Sequence, residues 1–253
     1  MAHDLAMRIQ TVGPSDAAWC AADPHFHEGD PALASFYEWL DTFEASEVPN
    51  LVLLGDLFEV WIALPRVQAP HQTRLLERLQ ALAESGRRIV FIVGNRDYFV
   101  ESVRPNPFEV IAERWDLDLP GGNIRFEHGD LVNLSDHQYQ RWRRFSRSRP
   151  VRAAFRLLPP PLQRSLAHRL ERSLARTNLE YKQYHPEAEL ENWAEKTKRE
   201  GCIAAVLGHF HRDLETRAAG ITVRFLPQFR KGGPYLAVDE HGCFRLESFK
   251  AGE

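Results

Sequence analysis

Leu51-Val-Leu-Leu-Gly-Asp-Leu-Phe-Glu59 is the stretch from which the fold is read. Leu51 to Leu54 is short and wholly apolar. A strand covered on one face alternates apolar with polar residues, so an unbroken apolar run fits a strand buried on both faces, as in an α/β sheet. The run stops at Gly55 and presents Asp56. Such sheets bind their ligands beyond the carboxyl ends of their strands. A single Gly-Asp turn carries little, because Gly and Asp end strands for backbone reasons alone. Here the pattern recurs. Ala17-Ala-Trp-Cys-Ala-Ala-Asp23-Pro-His25 ends in Asp-x-His, and Ile89-Val-Phe-Ile-Val-Gly-Asn95-Arg-Asp97 ends in Gly-Asn. Ile124-Arg-Phe-Glu-His128-Gly-Asp130 ends in His-Gly-Asp, and Cys202-Ile-Ala-Ala-Val-Leu-Gly-His209-Phe-His211 ends in Gly-His-x-His. Laid side by side in parallel sheets, these runs would bring their far ends to one edge.

The residues at those ends are Asp23, His25, Asp56, Asn95, His128, His209 and His211. They comprise two carboxylates, one amide and four imidazoles, enough for two divalent metal ions that share a bridge. Asp56 is the natural bridge, having two oxygens and a negative charge that offsets cation repulsion. Mixed nitrogen and oxygen ligands without thiolate suit Mn²⁺ best, with Fe or Zn²⁺ also compatible, and suit Ca²⁺ poorly. Two such ions at roughly 3.5–4 Å clamp a phosphoryl group. A lone histidine is more often structural or exposed than a ligand, but His209 and His211 alternate directly after an apolar strand.

The chain has 253 residues, a formal net charge of −3 and 43% hydrophobic residues. That suits one globular domain, 1–253, with a substantial core. Cys20, Cys202 and Cys243 are far apart and form no C-x-x-C pair, which reads as reduced thiols in a reducing compartment. Met1 to Gly13 carries no apolar stretch of signal-peptide length, and no run reaches the roughly 20 apolar residues of a spanning helix. The expectation is a cytoplasmic protein, soluble or peripheral on the inner membrane.

Between the strands, Asp30-Pro31 predicts a helix start, followed by Leu33, Phe36, Tyr37, Leu40 and Phe43 at helical spacing. Thr73 to Ser85 predicts a second helix, and Asn106-Pro107 a short third one ending near Trp115. The end of the chain, from Ile221, reads as short antiparallel strands. From 133 to 200 the β-α alternation gives way to helices alone, taken as an insertion over the converging strand ends. Its first half is basic, with Arg141, Arg143, Arg144, Arg147, Arg149, Arg152 and Arg156 interleaved with Trp142, Phe145 and Phe155. A solvated face is the default for such a run. An anionic membrane surface with an acyl groove is the second reading, and nucleic acid the third.

The order Asp-x-His, Gly-Asp, Gly-Asn, His-Gly-Asp, Gly-His-x-His resembles the calcineurin-like metallophosphoesterases across about 17 to 211. The resemblance implies two packed mixed β-sheets flanked by helices, with a helical lid insertion. It implies that Asp23, His25, Asp56 and His211 hold one metal, and that Asp56, Asn95, His128 and His209 hold the other. Three details are similar to the UDP-2,3-diacylglucosamine pyrophosphohydrolases within that superfamily: Gly55-Asp-Leu-Phe-Glu-Val-Trp-Ile62, Gly94-Asn-Arg-Asp97, and His128-Gly-Asp130 followed by Asp136, Tyr139 and a basic helical insertion. That resemblance implies a lipid-linked nucleotide sugar as substrate, with Asp56, Asn95 and Arg96 in catalysis and Arg96, Asp136, Tyr139 and Lys182 on the substrate. Arg96 in place of the histidine that nuclease relatives need, and aromatics at core-like helical spacing, point away from nucleic acid, and no obligate protein partner is evident. The first motif departs from the usual form, having Pro24 between its acid and histidine.

Arg96 can be read chemically as well. Relatives that expel alkoxides use a histidine there as general acid. A phosphoanhydride expels a phosphate whose second pKa is about 6, so it needs no acid. Arginine cannot donate a proton near neutrality, but it stabilises charge on a non-bridging oxygen. The alternative expectation is a hydrolase of soluble nucleotide diphosphates or phosphodiesters.

Overall fold

In the computed structural model, described here for residues 16–159, 161–163, 165–167, 169, 187–230 and 232–249, each apolar run forms a strand. The chain runs β1 (Asp16–Ala21), α1 (Pro31–Ala45), β2 (Asn50–Leu53), β3 (Trp61–Ile62), α2 (Pro70–Glu84), β4 (Arg88–Ile92), β5 (Asp97–Tyr98), β6 (Val110–Ala112), β7 (Arg114–Leu117) and β8 (Asn123–Glu127). Helices α3 (His137–Ser146), α4 (Arg149–Leu157) and α5 (Glu187–Arg199) follow, then β9 (Cys202–Leu207), β10 (Leu214–Ala218), β11 (Ile221–Phe225), β12 (Pro234–Asp239) and β13 (Phe244–Ser248). One sheet has the order β13-β12-β1-β2-β4-β6 and the other β10-β11-β9-β8-β7, with β3 and β5 as a separate pair.

The strands are apolar throughout because each serves two layers. In β1, Ala18 and Cys20 face the core between the sheets, whereas Trp19 and Ala21 face the helices. β2 and β4 divide alike: Val52, Val90 and Ile92 point inward, and Leu51, Leu53, Ile89 and Phe91 point outward. α1 and α2 cover that outer face with Phe36, Trp39, Leu40, Phe43, Leu75, Leu76, Leu79 and Leu82, each contributing about 1.5–3 kcal/mol by burial. Asp30 caps α1 by accepting the Ala32 N–H at 3.0 Å, ahead of the proline at the first turn. On the far side, Leu190 and Ala194 of α5 pack on Leu207, Val223 and Phe225. Helices thus flank two mixed sheets packed face to face.

Three local readings change. The residues from Asn106 to Trp115 form no helix among the described residues, but two strands. Val110 and Ile111 are β-branched, and β6 completes the sheet edge in parallel register, Val90 with Val110 and Phe91 with Ile111. β11 is antiparallel to β10 but parallel to β9, so the chain end is only partly antiparallel. Within 133–200, the described helices split between two places. Phe155 of α4 packs with Val60, Ile62, Tyr98 and Phe99 near the strand ends, while α5 backs the second sheet.

Candidate metal centre

β1, β2 and β4 are neighbours in one sheet, and β8 and β9 are neighbours in the other, each group parallel. All seven residues singled out from the sequence lie just past those strands, and the structure brings them together. His25 Nε2 lies 3.4 Å from His211 Nε2, which lies 3.5 Å from Asp23 Oδ1. Asn95 Oδ1 lies 3.1 Å from both His128 Nε2 and His209 Nδ1. Asp56 stands between the sets, with Oδ2 3.8 Å from His25 Nε2 and Oδ1 3.8 Å from His128 Nε2. Ligands at about 2.1 Å from one ion sit roughly 3.0–3.4 Å apart, close to these separations.

Local backbone geometry builds the cluster. Asp23, His25, Asp56, His209 and His211 all have left-handed φ, between 48° and 63°. Such conformations cost about 1 kcal/mol or more for a residue with a Cβ, and they gather at functional sites. The glycines make room. A Cβ on Gly94 would lie 2.4 Å from Asp56 Oδ1, and one on Gly208 would lie 2.6 Å from Asp23 Oδ2.

The electrostatics fit a cation. Asp23, Asp56 and His128 are fully buried, and buried carboxylates are costly without compensating charge. Asp23 Oδ2 accepts the His209 N–H at 2.7 Å, whereas its Oδ1 is buried and faces His211 Nε2 at 3.5 Å, beyond a good hydrogen bond. Burial alone would raise the Asp23 carboxyl, yet His128, His211 and His25 outweigh it and hold the group below its ordinary range. His128 donates Nδ1–H to the Leu54 carbonyl at 2.7 Å, which leaves the Nε2 lone pair facing the cluster. The sets Asp23, His25, His211 and Asp23, Asp56, His128 are each close enough to hold one ion.

Around this cluster, Arg96 donates its backbone N–H to Asp56 Oδ1 at 2.8 Å. Its Nη1 donates to the Glu59 carbonyl at 3.1 Å, and its Nε lies 3.8 Å from Asp56 Oδ2. Asp136 is exposed and caps α3, accepting the Tyr139 N–H at 2.8 Å. The Tyr139 hydroxyl donates to Asp130. Lys182 lies outside the described residues.

Two carboxylates escaped the sequence reading. Asp97 is fully buried, and its Oδ2 accepts the N–H groups of Asp56 at 2.9 Å and Gly94 at 2.8 Å. Burial, then the Asp56 charge, pushes its carboxyl up to about 7. Asp130 accepts from Tyr139 and, at 3.1 Å, from Arg143 Nε. Both close a motif already quoted, Asn95-Arg96-Asp97 and His128-Gly129-Asp130, which was the signal available.

Comparison with known proteins agrees with this geometry. The family model of the calcineurin-like phosphoesterases matches residues 18–213. The chain belongs to that family. As a calcineurin-like phosphoesterase it is a metal-dependent hydrolase, and its fold implies divalent ions, for which the buried cluster offers suitable ligands. A Coxiella burnetii protein named UDP-2,3-diacylglucosamine hydrolase is 25% identical over 90% of this chain and 96% of its own. A Stutzerimonas stutzeri protein of the same name is 31% identical over 87% of this chain and 94% of its own. Among solved structures, the hypothetical protein PH1004 of Pyrococcus horikoshii shares the fold with a TM-score of 0.51 and 12% identity, over 93% of this chain and 89% of that one. Among the described residues no helix is long and apolar enough to cross a membrane.

Proposed function

We propose that this phosphoesterase hydrolyses the pyrophosphate of UDP-2,3-diacylglucosamine, giving 2,3-diacylglucosamine 1-phosphate and UMP, a step of lipid A biosynthesis. The observation that carries the reading is Arg96, anchored beside Asp56 where a proton donor would serve an ester hydrolase. The names of relatives aligned over nearly their whole length support the same substrate. In this reading Asp23, His25, Asp56 and His211 hold one divalent ion, and Asp56, Asn95, His128 and His209 the other, with Mn²⁺ favoured. Such ions supply Lewis acidity toward a phosphoryl oxygen and lower the pKa of water. Arg96 contributes a permanent cation for the charge that gathers on non-bridging oxygens. The leaving phosphate needs no protonation.

Helices α3 and α4 serve the lipid in this reading. Trp142 (47% exposed), Phe145 (62%) and Leu157 (85%) stand in the open beside arginines. Apolar and cationic side chains on one face suit acyl chains and an anionic membrane, at the cytoplasmic side of the inner membrane. Asp136, Tyr139 and Lys182 are the proposed sugar-nucleotide contacts.

The test is a parallel assay with Mn²⁺ on UDP-2,3-diacylglucosamine in mild detergent and on bis(p-nitrophenyl) phosphate. Release of UMP far faster than cleavage of the diester is the expected result. Turnover of the diester alone would discard the lipid substrate and keep the hydrolase.

A further inference from the structure

The turn that carries Asp23 and His25 has a strained backbone. Both residues have left-handed φ, 49° and 48°, and Pro24 stands between them. The residue before a proline normally takes an extended conformation, and the proline itself brings no N–H with which to tie the turn down. Left-handed φ is disfavoured for a residue with a Cβ, so such a turn persists only where its surroundings fix it. The partners of this turn therefore decide where the Asp23 carboxylate and the His25 imidazole point.

Three of its carbonyls are held by a segment far away in the chain, Gln228-Phe229-Arg230, which follows β11. The Phe229 N–H donates to the Ala22 carbonyl at 2.9 Å, Gln228 Nε2 to the Asp23 carbonyl at 3.4 Å, and Arg230 Nη2 to the His25 carbonyl at 2.6 Å. The last bond is short and charge-assisted, the strongest kind of the three. The His25 N–H donates in turn to the Asp56 carbonyl at 3.0 Å. With the peptide groups on both sides of His25 held, its φ and ψ are held, and so is the direction of its side chain. Arg230 is itself anchored. Its Nη1 donates to Asp30 Oδ2, and Asp30 Oδ1 caps α1 through the Ala32 N–H at 3.0 Å. A planar guanidinium serves a carbonyl and a carboxylate from two fixed nitrogens, which an ammonium on a flexible stem does less well.

We propose that Arg230 is a positioning residue of the candidate metal centre: by bridging the His25 carbonyl and Asp30, it holds the Asp23-Pro24-His25 turn in the conformation that presents both ligands. In this role it acts through His25 and not on the ion. The inference rests on the reading that the cluster binds divalent ions, and it adds a residue outside the seven on which their affinity depends. Without Arg230 the turn can relax toward ordinary φ values, and metal binding must then restore the strained form. The Arg230 side chain is 30% exposed, so its truncation opens no large hole in the core.

The experiment titrates metal-free protein with Mn²⁺ by calorimetry, well below the thermal transition of every variant, so that only folded protein is sampled. The variants are Arg230→Ala, Arg230→Lys and Asp30→Asn, with Arg217→Ala, exposed on β10, as control. Residues that orient ligands from outside the coordination shell typically govern about 10–100-fold in metal affinity, and Arg230→Ala is expected to weaken Mn²⁺ binding by that factor. Arg230→Lys, which keeps a charged donor for the His25 carbonyl, should recover part of the loss. Asp30→Asn keeps a capping oxygen for α1 but turns an amide donor toward the guanidinium, and should weaken binding in the same direction. Arg217→Ala should match wild type. A purely structural Arg230 would lower the melting temperature of the metal-free protein and leave the Mn²⁺ affinity of folded Arg230→Ala at the wild-type value. That result would overturn the proposal and keep the metal reading. Should Arg230→Ala fail to fold, Asp30→Asn decides by the same criterion. No stoichiometric binding of Mn²⁺ by wild type would remove the metal reading, and the proposal with it.

Discussion

Asp97 shows what a single side chain contributes at this site. Its Oδ2 serves two buried backbone donors, on Asp56 and Gly94. Removing an acceptor from a buried donor costs about 1–3 kcal/mol. Asp97→Ala is therefore expected to lower the unfolding free energy by several kcal/mol in urea titrations, and Asp97→Asn, which keeps one acceptor oxygen, by less. Arg96 separates chemistry from structure. Its link to Asp56 Oδ1 is through the backbone and survives truncation. Arg96→Ala should lower kcat by about 10²–10³-fold, the usual cost of losing one charge-stabilising donor. Mn²⁺ binding, measured by titration, should hardly change. The ligand types were legible because each follows an apolar run. The closing acids Asp97 and Asp130 were not, because their partners are backbone N–H groups and residues brought near by folding.

At the scale of elements, Arg125 ties β8 to β7 and to the residue after α5. It grips Asp116 with Nε at 2.8 Å and Nη2 at 2.7 Å, and Glu200 with Nη1 at 2.5 Å. Arg125 chiefly holds the Glu200 carboxyl below its ordinary value of 4.5. A depressed carboxyl stabilises the fold fully above its unfolded pKa and loses that contribution as the pH falls through its folded value. Glu200→Gln should therefore have a lower urea midpoint than wild type at about pH 7, and the gap should close below about pH 4. The same region shows where element reading failed. Val110 and Ile111 follow a proline that suggested a helix start, and their fate as a strand was set by the open edge of β4. Helix starts with a capping side chain, as at Asp30, were readable because the cap is local.

Across the whole molecule, the candidate metal centre joins the two sheets, since Asp23, Asp56 and Asn95 follow strands of one and His128, His209 and His211 strands of the other. An ion bound there ties the sandwich together and stabilises the native state by mass action. At about 100 times its dissociation constant, one Mn²⁺ should contribute about 2.7 kcal/mol. For a chain of this size that is a Tm rise of roughly 5–10 °C, checked by thermal melts with and without the ion. A melt insensitive to Mn²⁺ would count against the centre. The sequence by itself determined the apolar strands that precede the donors, the donor types after them and their order along the chain. These follow from nearest-neighbour chemistry, because apolar runs bury and Gly-Asp or Gly-His turns end them. Only the tertiary structure decided which donors stand close together, that Asp56 lies between two groups of them, and that α3 reaches Asp130 while α5 supports the second sheet. Those outcomes depend on the pairing order of strands and on contacts between residues far apart in the chain, such as Arg147 with Gly94 and Asp23 with His209. No local pattern encodes such contacts, because their energy exists only once the sheets have packed.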